Sequence, residues 1–236
     1  MKKILIASLA LASFVGWAGA AVQIQAAPAP REKTYSADEG WYVAANFGAN
    51  FLTFKNNYSS NQPGSATGSD SYSFQSVYGG GAAFGKRFDE SWRGEISGGY
   101  LGEFTDSGQG WDFALNTPYV LVSAIYDTPQ EYWGGLYFGF GAGIALPTAT
   151  MKTNVYETYS QDHKMAISPM GAISFGWEKS LSQSVMLGVG YKLSVFNGPT
   201  HDIEWSVDST SVHIVSTNDI GMVLNNAFEA GLRYSF

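Results

Sequence analysis

The chain contains no cysteine, no apolar run of eighteen residues and few charged residues. Without cysteine, no disulfide can reinforce the fold, so the fold itself must supply the stability. The lack of a long apolar run excludes a membrane-spanning helix. The near-zero mean hydropathy does not exclude membrane insertion, because the strands of a membrane barrel are apolar on only one face.

The first residues have the pattern of a secretory signal peptide. Two lysines follow Met1, an apolar stretch covers 4–17, and an A-x-A cleavage pattern occupies 18–20. The stretch is too short for a spanning helix. We therefore expect residues 1–20 to be a signal peptide that is removed on export.

The rest of the chain has the length of one domain, which we place at residues 40–236. Residues 21–39 are rich in Ala, Pro and Gln without any period, which predicts a disordered periplasmic lead-in. Without Lys2 and Lys3, 11 basic residues remain against 20 acidic ones, a net charge of −9. This balance argues against nucleic acid as a partner.

The segment 222–236 shows the clearest alternation. Its even positions include Phe228 and Leu232, whereas its odd positions include Glu229 and Arg233. Successive side chains of a strand point to opposite faces, so this strand has one apolar and one charged face. An apolar exterior around a polar interior is typical of a β-barrel that spans a bilayer.

Eight alternating segments occur, each near the roughly 9–11 residues that a tilted membrane strand requires. Short turns alternate with longer polar connections, which is the asymmetry of outer-membrane barrels. We predict an all-β fold, a closed antiparallel eight-stranded transmembrane β-barrel. Its strands are expected at 41–52, 74–87, 92–104, 113–126, 133–146, 165–178, 185–196 and 222–236, and its extracellular loops at 53–73, 105–112, 147–164 and 197–221.

A soluble eight-stranded binding barrel, such as a lipocalin, is the competing fold. It would hide its apolar face and expose its charges, and alternation alone does not say which face is inside. The aromatic last strand, the asymmetric connections and the aromatic residues at the periplasmic rim favour the membrane version. The predicted aromatic girdle comprises Trp41, Trp92, Tyr126 and Trp133.

Alternation places charged side chains inside the predicted barrel. Inward charges need counter-charges, so we expect an ion-paired network, with Arg87 opposite Arg93 and Lys192 level with Glu229. Such a network fills a narrow eight-stranded interior. Alternatively, inner glycines leave water-filled space for a narrow porin-like channel. The predicted network comprises Arg87, Arg93, Glu95, Glu178, Lys192, Glu229 and Arg233.

A third possibility is an enzyme that modifies lipid A. Such a barrel needs a nucleophile beside a base, usually serine with histidine. His163, His201 and His213 all lie in predicted outer loops, and none begins a His-x-Ser pattern. We therefore expect no catalytic residue, no metal site and no cofactor.

Several motifs resemble the OmpA/OmpX-like and opacity-type eight-stranded outer-membrane proteins. The resemblance implies an integral protein of a Gram-negative outer membrane, with membrane lipid and the barrel assembly machinery as partners. Leu232, Tyr234 and Phe236 look like the C-terminal signal that this machinery reads. The motifs are GWYV at 40–43, GGAAFG at 80–85, WRGE at 92–95, GFGAG at 139–143, LGVGYK at 187–192 and GLRYSF at 231–236.

Such barrels include structural proteins, adhesins, small channels and lipid A enzymes, so the resemblance fixes the fold better than the function. The predicted extracellular loops are acidic, and loops on a rigid scaffold commonly carry binding functions. We expect a monomer with a structural or surface role: membrane integrity, adhesion or host interaction through these loops. A narrow channel is the alternative.

The cleavage pattern gives the first prediction. Protein extracted from the cell envelope should begin at Ala21, because the A-x-A pattern ends at the residue before it. N-terminal sequencing of the envelope fraction measures this directly. A chain that begins at Met1 in that fraction would contradict the predicted signal peptide.

Overall fold

The computed structural model describes residues 40–60, 67–108, 111–129, 134–155, 158–207 and 212–236. These residues form twelve β-strands, and within them no helix is long and apolar enough to cross a membrane. The strands are β1 (Trp41–Ser60), β2 (Gly68–Arg87), β3 (Trp92–Gly108), β4 (Trp111–Asp127), β5 (Gly135–Ala145), β6 (Thr148–Val155), β7 (Thr158–Met165), β8 (Ser168–Ser180), β9 (Val185–Asn197), β10 (Thr200–Val207), β11 (Val212–Ile220) and β12 (Met222–Ser235).

Eight of these strands close into an antiparallel ring, in the order β1, β2, β3, β4, β5, β8, β9 and β12. The last strand returns to the first, with pairs from Tyr42↔Ser235 to Thr53↔Leu224. A closed ring leaves no unpaired strand edge for the bilayer to solvate. The predicted eight-stranded barrel is therefore confirmed.

The outer face of the ring is apolar. Phe47 and Phe140 are each 64% exposed, whereas inward-facing Asn50 is 3% exposed. On β4, the side chains of Val120 and Val122 are exposed and point outward. Exposure of this apolar outer face to water would be unfavourable, whereas in a bilayer the same face contacts lipid chains.

The predicted extracellular loops are largely strand, so that part of the prediction is wrong. Strands β1 and β2 extend to Ser60 and from Gly68, and β3 and β4 extend to Gly108 and from Trp111. The predicted loops 147–164 and 197–221 contain the hairpins β6–β7 and β10–β11.

A β-bulge in β2 explains why the sequence pattern does not reveal one of these extensions. Leu52 pairs with Gln75, but Phe54 pairs with Tyr72, so β2 carries an extra residue there. Phe74 adopts a positive φ of 52°, which costs a non-glycine residue about 1–2 kcal/mol. The extra residue shifts the alternation by one, so the pattern appears to stop where the strand continues.

A second bulge has the same effect in β3. Tyr100 pairs with Pro118, but Glu103 pairs with Asn116. Gly102 lies between them with φ 109°, a conformation that glycine adopts without strain. Above this bulge the even-numbered residues of β3 face inward instead of the odd-numbered ones. Both bulges therefore mark the boundary at which the simple alternation of the membrane strands ends.

Above the bulges, two ring strands exchange partners. Strand β1 leaves β12 and pairs with β11, from Asn56↔Ile220 to Ser60↔Ser216. Strand β4 leaves β5 and pairs with β6, from Trp111↔Thr153 to Asn116↔Thr148. Each outer hairpin is thus held to the barrel by one ring strand.

Ring closure gives the second prediction. The refolded protein should migrate differently on an SDS gel before and after boiling, because a ring without edges resists the detergent until it is heated. A chain truncated after Gly221 lacks β12 and serves as the control, since it should lose this shift. Identical mobility of the boiled and unboiled full chain would contradict closure.

Candidate functional site

Charged side chains close the end of the lumen next to the short turns. Asp127 forms salt bridges with two arginines, with Arg87 Nη2 at 2.6 Å and Arg93 Nη2 at 3.3 Å. Glu178 binds two arginines in the same way, with Arg93 Nη2 at 3.0 Å and Arg233 Nη2 at 2.7 Å. The two carboxylates thus separate three guanidinium groups that would otherwise repel one another.

The predicted fourth strand ends at 126, which leaves Asp127 in the short turn that follows, and this boundary is wrong. Asp127 is the last residue of β4, and its side chain is buried in the lumen. Arg87 and Arg93 are register partners, as the turn length predicts. Two facing arginines require a nearby anion, so the expected pairing of Arg87 with Arg93 could have indicated Asp127 as their partner.

Tyrosine rings fill the space around Arg93. Its guanidinium carbon lies 5.5 Å from the ring centroid of Tyr42 and 5.6 Å from that of Tyr137. The Tyr42 hydroxyl donates to Glu95 Oε2 at 3.0 Å. A Cβ at Gly190 would collide with the Tyr137 ring, so this inner glycine makes room for an aromatic side chain.

A second ion pair lies further into the lumen. Lys192 Nζ and Glu229 Oε1 are 2.5 Å apart on the adjacent strands β9 and β12. Asn46 Nδ2 donates to Glu229 Oε2 at 3.0 Å, and Lys192 Nζ donates to the Tyr119 hydroxyl at 3.3 Å. Both charges therefore have hydrogen-bond partners besides each other.

The structure places all seven residues of the predicted network inside the ring and adds Asp127. Four cations balance four anions, so the network has no formal net charge. The cations are Arg87, Arg93, Lys192 and Arg233, and the anions are Glu95, Asp127, Glu178 and Glu229.

A polar chamber of about 130 Å³ lies between these two groups of charges. Ser97, Ser123 and Ser174 line it, as do Arg93 and Arg233. The Nε atoms of both arginines are buried and have no hydrogen-bond acceptor among the described residues. The chamber is polar and large enough for several water molecules, which would satisfy these two donors.

The outer half of the lumen is filled mainly by apolar side chains, contrary to the expected polar interior, with a few buried amides such as Asn50 and Asn225 among them. Leu115 and Val223 are 0% exposed, and the rings of Phe54 and Tyr72 stack at 4.8 Å. We call this cluster the apolar plug. It comprises Leu52, Phe54, Val77, Leu101, Phe104, Phe113, Leu115, Tyr119, Leu121, Ala145, Ala149, Met170, Phe196, Ile220 and Val223, with Tyr72 packed against it.

Tyr72 closes the plug on its extracellular side. Its hydroxyl donates to Asp106 Oδ2 at 3.0 Å, which links β2 to β3 where their register pairing has ended. Burial raises the pKa of Tyr72 above its ordinary value, and the hydrogen bond to Asp106 raises it further. The phenol therefore stays neutral at physiological pH.

The predicted rim residues lie outside the ring at its periplasmic end. Trp41 stacks on Phe84 at 4.9 Å, and Trp92 contacts Tyr126 edge-on at 5.3 Å. Trp133 lies outside the described residues. The three residues of the proposed assembly signal, Leu232, Tyr234 and Phe236, have exposed side chains on the lipid face.

His163 forms its described contact on an outer hairpin and not with the lumen charges. His163 Nδ1 is 2.9 Å from Thr150 Oγ1, its register partner in the hairpin β6–β7, and the contact is exposed. The side chains of His201 and His213 lie outside the described part of the structure. Among the described residues, no group of three acidic, histidine or cysteine side chains could hold a metal ion.

Comparison with known structures agrees with this fold. The outer membrane protease OmpT from Escherichia coli is 9% identical, covers 83% of this chain and 97% of its own, and gives a TM-score of 0.50. This chain is a β-barrel of the outer-membrane type. Its eight ring strands and its apolar outer face fit a barrel that crosses a bilayer.

Two further structures are also similar to this barrel. Neisserial surface protein A is 18% identical, with 84% of this chain and 97% of that chain covered and a TM-score of 0.46. The attachment invasion locus protein Ail of Yersinia pestis is 11% identical, with 83% and 99% covered and a TM-score of 0.44. No protein-family model matches the chain, and no curated protein matches it in sequence. At these identities the likenesses show the fold alone.

The inner ion pair gives the third prediction. Glu229→Gln and Lys192→Met should each destabilise the barrel, because each leaves a charge unpaired in the lumen. The loss is at most about 3–5 kcal/mol and smaller where chamber water reaches the remaining charge. The double variant should lose less than the sum of the two single losses. Urea titration of the refolded barrel measures all three free energies of unfolding.

Glu103→Gln is the matched control, because Glu103 is exposed on β3 above its bulge. This variant should change the free energy of unfolding by no more than about 0.5 kcal/mol. Strict additivity of the Lys192 and Glu229 losses would show that the two side chains do not stabilise each other.

Proposed function

We propose that the protein is a non-conducting, monomeric outer-membrane barrel with a structural and surface-contact role. The apolar plug is the observation that carries this proposal. An ion that crosses the barrel must stay hydrated or find replacement ligands. A tightly packed, mainly apolar segment offers few of either, because its buried amides, such as Asn50 and Asn225, are hydrogen-bonded to each other. The balanced ion pairs at the periplasmic end add a second barrier, because their carboxylates are already engaged with the guanidinium groups.

The surface role rests on the strands above the bulges. Their exposed charges are mainly carboxylates, including Asp70, Asp112, Asp202 and Asp219. A rigid scaffold presents these groups in fixed positions, which favours contact with external molecules, including those of a host. We further propose that Trp41, Trp92, Tyr126 and Trp133 anchor the periplasmic rim and that Leu232, Tyr234 and Phe236 guide assembly.

A narrow channel is the second candidate function. The polar chamber favours it, because water already has room at mid-lumen and the inner glycines keep that space open. A conducting state would require the apolar plug to move aside. Its largest members are buried and packed on several strands at once, which favours the closed lumen.

We also propose that the protein is not an enzyme. The contact between Thr150 and His163 resembles a nucleophile beside a base, but both residues are neighbours on an exposed hairpin. Acyl transfer needs a site that excludes water and positions an oxyanion. The exposed contact is better explained as a cross-strand hydrogen bond that stabilises the hairpin.

Conductance in planar bilayers tests the proposed function. The wild-type barrel should show no steady conductance at either sign of the voltage, because the plug and the network close the lumen in series. A variant that combines Arg93→Ala, Phe104→Ala and Leu115→Ser should conduct, since it opens both layers. The SDS gel shift verifies that each protein is folded before it is measured.

Replacement of lipid-facing residues provides the matched control. Phe47→Ala with Phe140→Ala removes two rings from the outer wall and should leave the lumen closed. A wild-type conductance comparable with that of the opened variant would overturn the structural assignment and favour the channel.

A further inference from the structure

A lysine stands on the lipid-facing wall of the barrel at its periplasmic rim. Lys86 is the last residue but one of β2, and alternation with the inward-facing Arg87 places it on the outer face. Its Nζ lies 5.2 Å from the ring centroid of Trp41, its register partner on β1. Among the described residues, no carboxylate forms an ion pair with Lys86. Its ammonium group is therefore open to an anion from outside the chain.

A shallow groove runs from Lys86 across the outer wall. Register partners lie on the same face of a sheet, so each row of partners follows a line across the strands. The floor of the groove is the row Lys86, Gly94, Ala124 and Phe140, on β2, β3, β4 and β5. The rows on either side carry larger exposed side chains, which are Phe88, Trp92, Tyr126 and Phe138 below and Phe84, Ile96 and Val122 above.

The groove rises from the rim towards the middle of the bilayer. The strands of a membrane barrel tilt by about 35–45°, so a row at right angles to them climbs along the wall. Lys86 is one residue from the periplasmic end of its strand, whereas Ala124 is three residues and Phe140 five residues from theirs. Three strand spacings of roughly 4.8 Å make the groove about 14 Å long. One end thus lies at the depth of lipid headgroups and the other among acyl chains.

The outer wall at this rim presents cations rather than carboxylates. Lys179 of β8 is a second outward cation, because it alternates with the inward-facing Glu178. The carboxylates at the described strand ends, Asp127 and Glu178, point into the lumen and bind arginines there. The charge of this wall is therefore complementary to a negatively charged headgroup.

Two further carboxylates lie in the turn between β2 and β3. Asp89 Oδ1 accepts from the backbone N–H of Trp92 at 2.7 Å, which directs this carboxylate into the turn. Glu90 is exposed in the same turn, beyond the last residue of β2 and further from the bilayer than Lys86. The ammonium group of a zwitterionic headgroup thus finds no acidic partner on the described wall beside Lys86. An anionic phospholipid fits this wall better than a zwitterionic one.

We propose that the groove binds an anionic phospholipid of the periplasmic leaflet. The lipid phosphate pairs with Lys86, and the Trp41 ring packs beside the headgroup, at the depth where tryptophan is enriched in membrane proteins. One acyl chain lies over Gly94 and Ala124, between the two rows of large side chains. The proposal gives the outer wall a specific lipid partner and rests on the membrane position that the proposed function assumes. It does not depend on whether the lumen conducts.

Quenching of a fluorescent label by brominated lipid tests the proposal. The chain has no cysteine, so Val122→Cys provides a single labelling position on the row above the groove. The labelled barrel is refolded into phosphatidylcholine vesicles that contain brominated phosphatidylglycerol or, in parallel, brominated phosphatidylcholine with the same acyl chains. The ratio of the two quenching efficiencies gives the relative affinity of the wall beside the label for the two lipids. Phosphatidylglycerol should be favoured by about fivefold, the effect of one lysine near a membrane surface.

Replacement of the lysine separates a phosphate contact from general affinity for lipid. Lys86→Gln should bring the ratio at the Val122→Cys label close to one, because the cation is lost while the groove remains. Lys86→Arg keeps the charge and should retain the preference. An unchanged ratio in Lys86→Gln would overturn the proposal.

Phe47→Cys is the matched label position, because Phe47 is exposed on the same wall at a similar depth on β1 but outside the groove. The ratio there should be near one. A ratio near one at Val122→Cys, or an equal preference at both labels, would also overturn the proposal. The SDS gel shift and the bilayer conductance of the same labelled proteins report on the proposed function separately.

Discussion

The pairing of β12 with β1 is the constraint from which the other features of this barrel follow. Inside a bilayer, each backbone N–H and C=O must find its partner within the chain, since no water is present to replace it. The pairs from Tyr42↔Ser235 to Thr53↔Leu224 supply the last of these partners. Once the ring closes with eight strands, its interior is barely wider than the side chains that fill it. The side chains in the lumen must therefore pack closely as well as balance their charges.

The side chains that fill the lumen form two different layers. Near the periplasmic turns, carboxylates alternate with guanidinium groups, so that each arginine has a carboxylate at hydrogen-bond distance. Further out, closely packed aliphatic and aromatic side chains replace the charges. An unpaired charge would be costly in the first layer, and a cavity would be costly in the second. The chamber between the layers is the place where glycines leave room for solvent.

The transmembrane part could be predicted well from sequence because alternation maps directly onto the two faces of a strand. Val120 and Val122 share the outer face of β4 because side chains alternate with a two-residue period. Lys192 and Glu229 share the inner face of adjacent strands, where the register brings them together. The extracellular part could not be predicted in this way. The bulges at Phe74 and Gly102 shift the alternation of inward and outward residues by one position. The shifted pattern therefore looks like the end of a strand. Asp127 was missed because it is the residue at which a strand becomes a turn.

The apolar plug was missed for a different reason. Phe54 belongs to a segment that the broken alternation assigned to a loop. Phe113 and Leu115 lie within the predicted fourth strand, but the expectation of a polar interior left no place there for inward apolar side chains. Their burial depends on contacts between strands that are distant in sequence, such as that between Phe54 and Phe104 at 5.5 Å. A polar interior is a fair expectation for a wide barrel, but a narrow one can be filled with either kind of side chain.

The exchange of partners above the bulges has a consequence for how this surface can evolve. The hairpin β10–β11 is joined to the barrel through the end of β1, and β6–β7 through the end of β4. Neither hairpin contributes a strand to the membrane ring, so insertions, deletions or wholesale replacement within them leave the bilayer-spanning hydrogen bonds untouched. The exterior of the cell can thus be remodelled by recombination at these two attachment points while the membrane anchor stays constant. The same two points are suitable sites for grafting foreign epitopes or binding peptides.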